Sequence, residues 1–168
     1  LPVTENHPLN PICSYGIVKV AIENYIGMYQ ELYGLKPIIL RPSNPYGPRQ
    51  GHAGVQGALS TFLSNTLNHK QITIWGDGEI KRGHIYVKDL AHITRLAVES
   101  DVSGTFNVCS GVSHYLNELI KLVEQTTNFR PILSYKPSRA IAVKEILLDT
   151  KQCKQANRKI TRRNSIPR

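Results

Sequence analysis

The stretch Gly34-Leu35-Lys36-Pro37-Ile38-Ile39-Leu40-Arg41-Pro42-Ser43-Asn44-Pro45-Tyr46-Gly47-Pro48 decides the fold class. Before it, Ile17, Ala21, Ile22, Tyr25, Ile26, Tyr29 and Leu32 recur at helical spacing. Gly34 stands where such a helix needs a left-handed cap. Asn10-Pro11 offers the matching start, an amide at the N-cap followed by proline at the first helical position. After Gly34, the run Pro37–Leu40 is apolar without alternation, which suits a parallel strand covered on both faces. Pro42 to Pro48 then reads as a loop at the carboxyl end of that strand. Open α/β sheets bind their ligands at such ends.

Further along, strand and helix alternate. A helix is expected from about Gln56 to Asn68, with Leu59, Phe62, Leu63 and Leu67 on one face. Ile72–Trp75 reads as a strand and Gly76-Asp77-Gly78 as a turn. Ile85–Val87 is a short strand, and Asp89 opens a helix through Leu90, Ile93, Leu96 and Ala97. Thr105–Val108 is again a strand, and Ser113 is placed to cap a helix through Leu116, Leu119, Ile120 and Val123. This alternation predicts an α/β domain with a parallel sheet.

The chain has 168 residues, enough for one domain with a real core. No apolar run is long enough to span a bilayer. Cys13, Cys109 and Cys153 are widely spaced, odd in number and lack a CxxC pair, the pattern of a reduced, cytoplasmic protein without a zinc site. The net charge of +9 is uneven. Residues 151–168 hold 7 of the 21 basic residues and no acid, so the body is nearly neutral. This places a basic, frayed tail at 151–168 and argues against a nucleic-acid-binding surface on the body.

The strongest chemical signal is Ser14-Tyr15-Gly16-Ile17-Val18-Lys19. Tyr15 and Lys19 are four apart on the first helix and share a face. A nearby ammonium stabilises a phenolate and makes tyrosine a better base at neutral pH. Such a pair can move a proton on or off a hydroxyl. Alone it reads equally as an exposed aromatic–cation pair. Two further blocks follow in order: Arg41 to Arg49, and Ile74-Trp75-Gly76-Asp77-Gly78-Glu79-Ile80-Lys81-Arg82-Gly83-His84-Ile85-Tyr86-Val87-Lys88-Asp89.

Together these blocks resemble the extended short-chain dehydrogenase/reductases that act on nucleotide sugars, the NAD-dependent epimerases and dehydratases, and among them most the UDP-glucose 4-epimerases. The resemblance covers residues 1 to about 150. It implies the second half of a Rossmann-like, doubly wound parallel sheet with a small α/β substrate-binding subdomain, drawn from about 45–84 and 112–150. It implies Tyr15 as catalytic acid/base and Lys19 as the residue that tunes it and binds the nicotinamide ribose. Pro42 would belong to the nicotinamide pocket. Asn44 would contact the phosphates of the nucleotide sugar, Arg82 its diphosphate, Trp75 the nucleobase and Arg139 the nucleotide. The implied cofactor is NAD and the implied assembly a homodimer. The implied reaction is interconversion of UDP-glucose and UDP-galactose, with dTDP-glucose 4,6-dehydratase and UDP-glucuronate decarboxylase as neighbouring alternatives.

Several positions depart from that pattern. The family's Gly-rich cofactor turn, and the serine or threonine that partners the tyrosine, would lie upstream of Leu1. The chain is therefore expected to be a carboxyl-terminal half, inactive alone, whose partner is the missing amino-terminal half. A non-catalytic nucleotide-sugar-binding remnant is the competing expectation. The family's acid after the arginine is Gly83 here, and the acid three after the second arginine is Ala142. The basic ending replaces an apolar helix, as a frame shift or a cloning-derived end would. A half-sheet would also leave apolar surface and an unpaired edge, so association or low solubility is expected.

Overall fold

The computed structural model describes residues 1–50, 57–138 and 143–156. The first helix, α1 (Ser14–Tyr33), ends as its sequence predicts: Gly34 takes φ 65° and its N–H donates to the Gln30 carbonyl. Its start differs from the Asn10-Pro11 expectation. Cys13 is the cap, in extended conformation and without a side-chain hydrogen bond. Pro11 instead folds back against the first turn, so closely that a Cβ on Gly16 would lie 2.9 Å from the Pro11 Cβ.

β1 (Ile38–Pro42) follows, then β2 (Asn44–Tyr46), α2 (Ala58–Leu67), β3 (Gln71–Trp75), β4 (Lys81–Tyr86) and α3 (Val87–Val98). β5 (Gly104–Val108), β6 (Ser113–Tyr115), α4 (Leu116–Thr127), β7 (Ile132–Lys136) and β8 (Glu145–Ile146) complete the order. The strands form parallel pairs β1/β5, β3/β7 and β2/β4, with β6 antiparallel and β8 parallel to β4. The expected α/β class with parallel pairing is present. The expected loop after β1 contains β2, because Asn44 to Tyr46 find ladder partners in His84 to Tyr86. The strand expected at Ile85–Val87 begins at Lys81, and Val87 already belongs to α3. Ser113 is not a helix cap. It pairs with Gly83 in the sheet, and α4 starts at Leu116, where Glu118 Oε2 accepts the Tyr115 N–H at 2.9 Å.

Two apolar clusters hold the fold. Phe62 of α2, Ile72 and Ile74 of β3, and Leu119, Ile120 and Val123 of α4 form the first. β3 alternates, its buried Ile72 and Ile74 flanking half-buried Thr73, as a strand packed on one face must. Ile85, Val108 and Cys153 form the second, with Leu40, Leu90, Ile93 and Phe106 against them. Residues 151–156, assigned to the basic tail by charge, are helical, and Cys153 lies inside this cluster. Burial raises its thiol pKa. β1 pairs in parallel as predicted but is not covered on both faces. None of its residues is fully buried, because β5 alone flanks it among the described strands. No described helix is long and apolar enough to cross a membrane.

Candidate functional site

Tyr15 and Lys19 stand on the first two turns of α1, on one face as predicted. The Lys19 ammonium lies 5.4 Å from the centroid of the Tyr15 ring, a cation over an aromatic face. Tyr15 is 66% exposed, so this face is open. α1 is tied to the sheet through Arg41, a residue to which the sequence assigned no role. Arg41 Nε donates to Glu23 Oε1 at 2.8 Å and Nη2 to Glu23 Oε2 at 2.5 Å, while Nη1 donates to the Glu5 carbonyl at 3.0 Å. The hydrogen bonds to the Glu23 carboxylate raise the Arg41 pKa further, against the opposing effect of burial. The planar fork orients the helix that carries Tyr15 relative to the strand that leads to Asn44. Pro42 ends β1, exposed, opposite Val108.

Asn44 opens β2 opposite His84. Its Nδ2 donates to the Gly83 carbonyl at 2.9 Å. Arg82, on β4, donates to the Lys81 carbonyl at 2.9 Å, to Lys144 at 3.3 Å and to Val143 at 2.6 Å. Burial lowers its pKa. A guanidinium held by neutral carbonyls keeps its positive charge for an anion, and among the described residues no carboxylate pairs with it. Asn44 and Arg82 line one cleft of about 240 Å³, closed by Ala58, Leu59, Ile80 and Leu116. The structure thus brings together two residues that lie 38 positions apart.

Trp75 does not line that cleft. It ends β3, 40% exposed, with the Lys136 ammonium 5.6 Å from its ring. Arg139 and Ala142 lie outside the described residues. Gly76-Asp77-Gly78 forms the predicted turn, held by Asn117, whose Nδ2 donates to the Asp77 carbonyl at 3.0 Å. A larger, mostly apolar cleft of about 1170 Å³ lies between α2 and α4. Size alone points there, yet none of the sequence-selected residues lines it. The chemistry favours the smaller cleft, where a cation and a carboxamide converge.

His84 lines both clefts and was not selected from sequence. It is 9% exposed and its Nδ1 has no hydrogen-bond partner. Burial, then the charge of His114, hold its pKa below the ordinary value; the Arg82 carbonyl acts in the opposite direction without hydrogen-bonding Nδ1. The adjacency of a histidine to the selected Arg82-Gly83 pair was the available signal. No group of three or more His, Cys, Asp or Glu among the described residues is arranged for a metal.

Residues 2–109 match the NAD dependent epimerase/dehydratase family. Over 152 residues the chain is 38% identical to a protein of Methanocaldococcus jannaschii whose name assigns it provisionally to the UDP-glucose 4-epimerases, covering 90% of this chain and 50% of that one. It is 34% identical over 152 residues to the dTDP-4-dehydro-6-deoxyglucose reductase of Escherichia coli, covering 90% of this chain and 48% of the relative. Its fold matches the UDP-glucose 4-epimerase of Thermotoga maritima, solved with UDP-glucose, with a TM-score of 0.87 and 35% identity. That match covers 92% of this chain and 50% of the other, which is the Rossmann-like half-sheet expected from sequence. The Thermus thermophilus UDP-glucose 4-epimerase, solved with NAD, matches with a TM-score of 0.87 and 29% identity, over 94% of this chain and 52% of that one. The chain spans about half the length of these relatives. On its family match and its sequence identity, this chain belongs to the NAD-dependent epimerase/dehydratase family.

Proposed function

We propose that this chain supplies the nucleotide-sugar side of an NAD-dependent 4-epimerase site acting on UDP-glucose and UDP-galactose. The observation that supports it best is the convergence of Asn44 and Arg82 on one cleft. In this reading Arg82 holds the diphosphate through its charge and Asn44 hydrogen-bonds a phosphate oxygen. Trp75 borders the nucleobase from outside the cleft, and Arg139 contacts the nucleotide. Tyr15, as phenolate, takes the proton of the C4 hydroxyl, and Lys19 stabilises the phenolate. The 4-keto sugar turns over, and Tyr15 returns the proton to the inverted alcohol.

The residues present fit one edge of NAD. Tyr15 and Lys19 form an open cationic–aromatic face for a nicotinamide ribose, and exposed Pro42 borders it. None of the described turns joins a strand to a long helix through a Gly-rich loop, and in this reading the pyrophosphate rests on the amino-terminal half. Bound NAD accepts and returns the hydride. The complementary amino-terminal half is thus the partner this site needs, and a homodimer of the completed protein is the assembly proposed.

A second reading is favoured by the exposure of Tyr15: the chain binds a nucleotide sugar without turning it over. Calorimetric titration with UDP-glucose tests the shared step. Binding is expected, and Arg82→Ala should weaken it about tenfold or more, the loss of a charged hydrogen bond. Unchanged affinity in Arg82→Ala removes the assignment. Epimerisation on adding the amino-terminal half of a relative, abolished by Tyr15→Phe, separates the two readings.

A further inference from the structure

Gly83 is glycine for want of space. Its φ lies outside the left-handed region, so its backbone would accept other residues. A Cβ built there, however, would sit 2.7 Å from Cys109 Sγ, closer than any side chain tolerates. Cys109 follows β5 and is 8% exposed, its Sγ 3.9 Å from the His84 carbonyl. The same point is 3.7 Å from the Cβ of Ser43, whose hydroxyl is buried without a partner. Ser43 is fixed there by its own N–H, which donates to the Val108 carbonyl at 2.8 Å.

We propose that Gly83 and Cys109 are a matched pair, in which Cys109 is a positioning residue for the Asn44–Arg82 cleft. The Gly83 carbonyl accepts the Asn44 amide, and the preceding residue projects the guanidinium. Sulfur packed on Gly83 therefore sets the height of the β4 backbone, and with it the placement of both cleft groups. The thiol of Cys109, which follows β5, occupies the volume that a side chain on residue 83 would need. Among the described residues Arg82 is hydrogen-bonded only to backbone carbonyls, which leaves its charge to an anionic ligand.

This rests on the nucleotide-sugar reading only for what fills the cleft. The test is a cycle of Gly83→Ala, Cys109→Gly and the double variant in the whole chain. It is read by thermal unfolding, UDP titration and the ¹⁵N resonances of the Asn44 carboxamide. Gly83→Ala should lower Tm by roughly 5 °C. It should also move the Asn44 resonances and weaken UDP binding about tenfold, the effect of one misplaced hydrogen-bonding group. The double variant should recover most of all three. A Gly83→Ala chain with parental Tm and parental Asn44 resonances overturns the pairing. So does a double variant no better than the sum of the singles. If the parent binds no UDP, the nucleotide reading fails, while the Tm and resonance cycle still decides the pair.

Discussion

α4 and α1 are both helices with ample apolar residues, yet the first is packed and the second stands open. α4 has its apolar side chains on one face, and Leu119, Ile120 and Val123 are buried against α2 and β3. α1 is longer, with none of its residues buried. Val18, Ile22, Tyr25, Tyr29 and Leu32 lie on one broad arc and are all exposed, while Ile17 and Met28 extend it round the helix. A helix that is apolar on more than one side is built to be covered on more than one side. Here Arg41 holds it at Glu23 and Pro11 packs on Gly16, with Val20 and Ile26 half-buried. The core between α2, β3 and α4 is self-sufficient, whereas the described residues leave the apolar surface of α1 uncovered.

The largest effect should come from cutting the packed side. Ile72→Ala, in the core between α2, β3 and α4, is expected to cost about 2–5 kcal/mol in urea unfolding. Ile22→Ala on α1 is expected to change stability by no more than about 0.5 kcal/mol. Equal losses at the two sites would erase the distinction. The open arc should next drive association. Light scattering of the chain alone is expected to show species larger than a monomer, and Tyr25→Lys with Tyr29→Lys should shift it toward monomer. A monodisperse monomer in the parent would mean that this surface tolerates water.

The smallest effect concerns His84, on β4. Its folded-state pKa is depressed by burial and by the charges of His114 and Arg82. Well above about pH 6.5 the ring is neutral in both folded and unfolded chains, so its titration contributes nothing to stability there. As the pH falls below that, the unfolded chain takes up a proton that the folded chain resists, so stability declines. His84→Phe keeps the ring against Tyr46 and should flatten this decline between about pH 6.5 and 5 in thermal unfolding. An unchanged slope would assign the acid sensitivity to other groups.

Much was legible without coordinates because its causes are local. Helical periodicity and Gly34 mark the end of α1, since a left-handed cap needs only its own glycine. Tyr15 and Lys19 share a face because they are four residues apart on a helix. Other expectations failed where a packing or pairing contact outcompeted a local preference. Ser113 is a sound cap by type, but its backbone pairs with Gly83. Asn10-Pro11 is a sound helix start, but Pro11 packs back on the first turn instead. β8 has two residues and no periodicity, and it exists because β4 offers it a free edge.

By itself, then, the amino-acid order determined the alternation of elements, the Tyr15–Lys19 pair and the family pattern, because each depends on residues within a few positions of one another. Only the tertiary structure decided that Asn44 meets Gly83, that Arg82 is held by Lys144 and Val143, and that Cys109 fills the space beside Gly83. Those contacts join separate strands. Their geometry follows from sheet register and packing volume, which no short stretch of sequence contains.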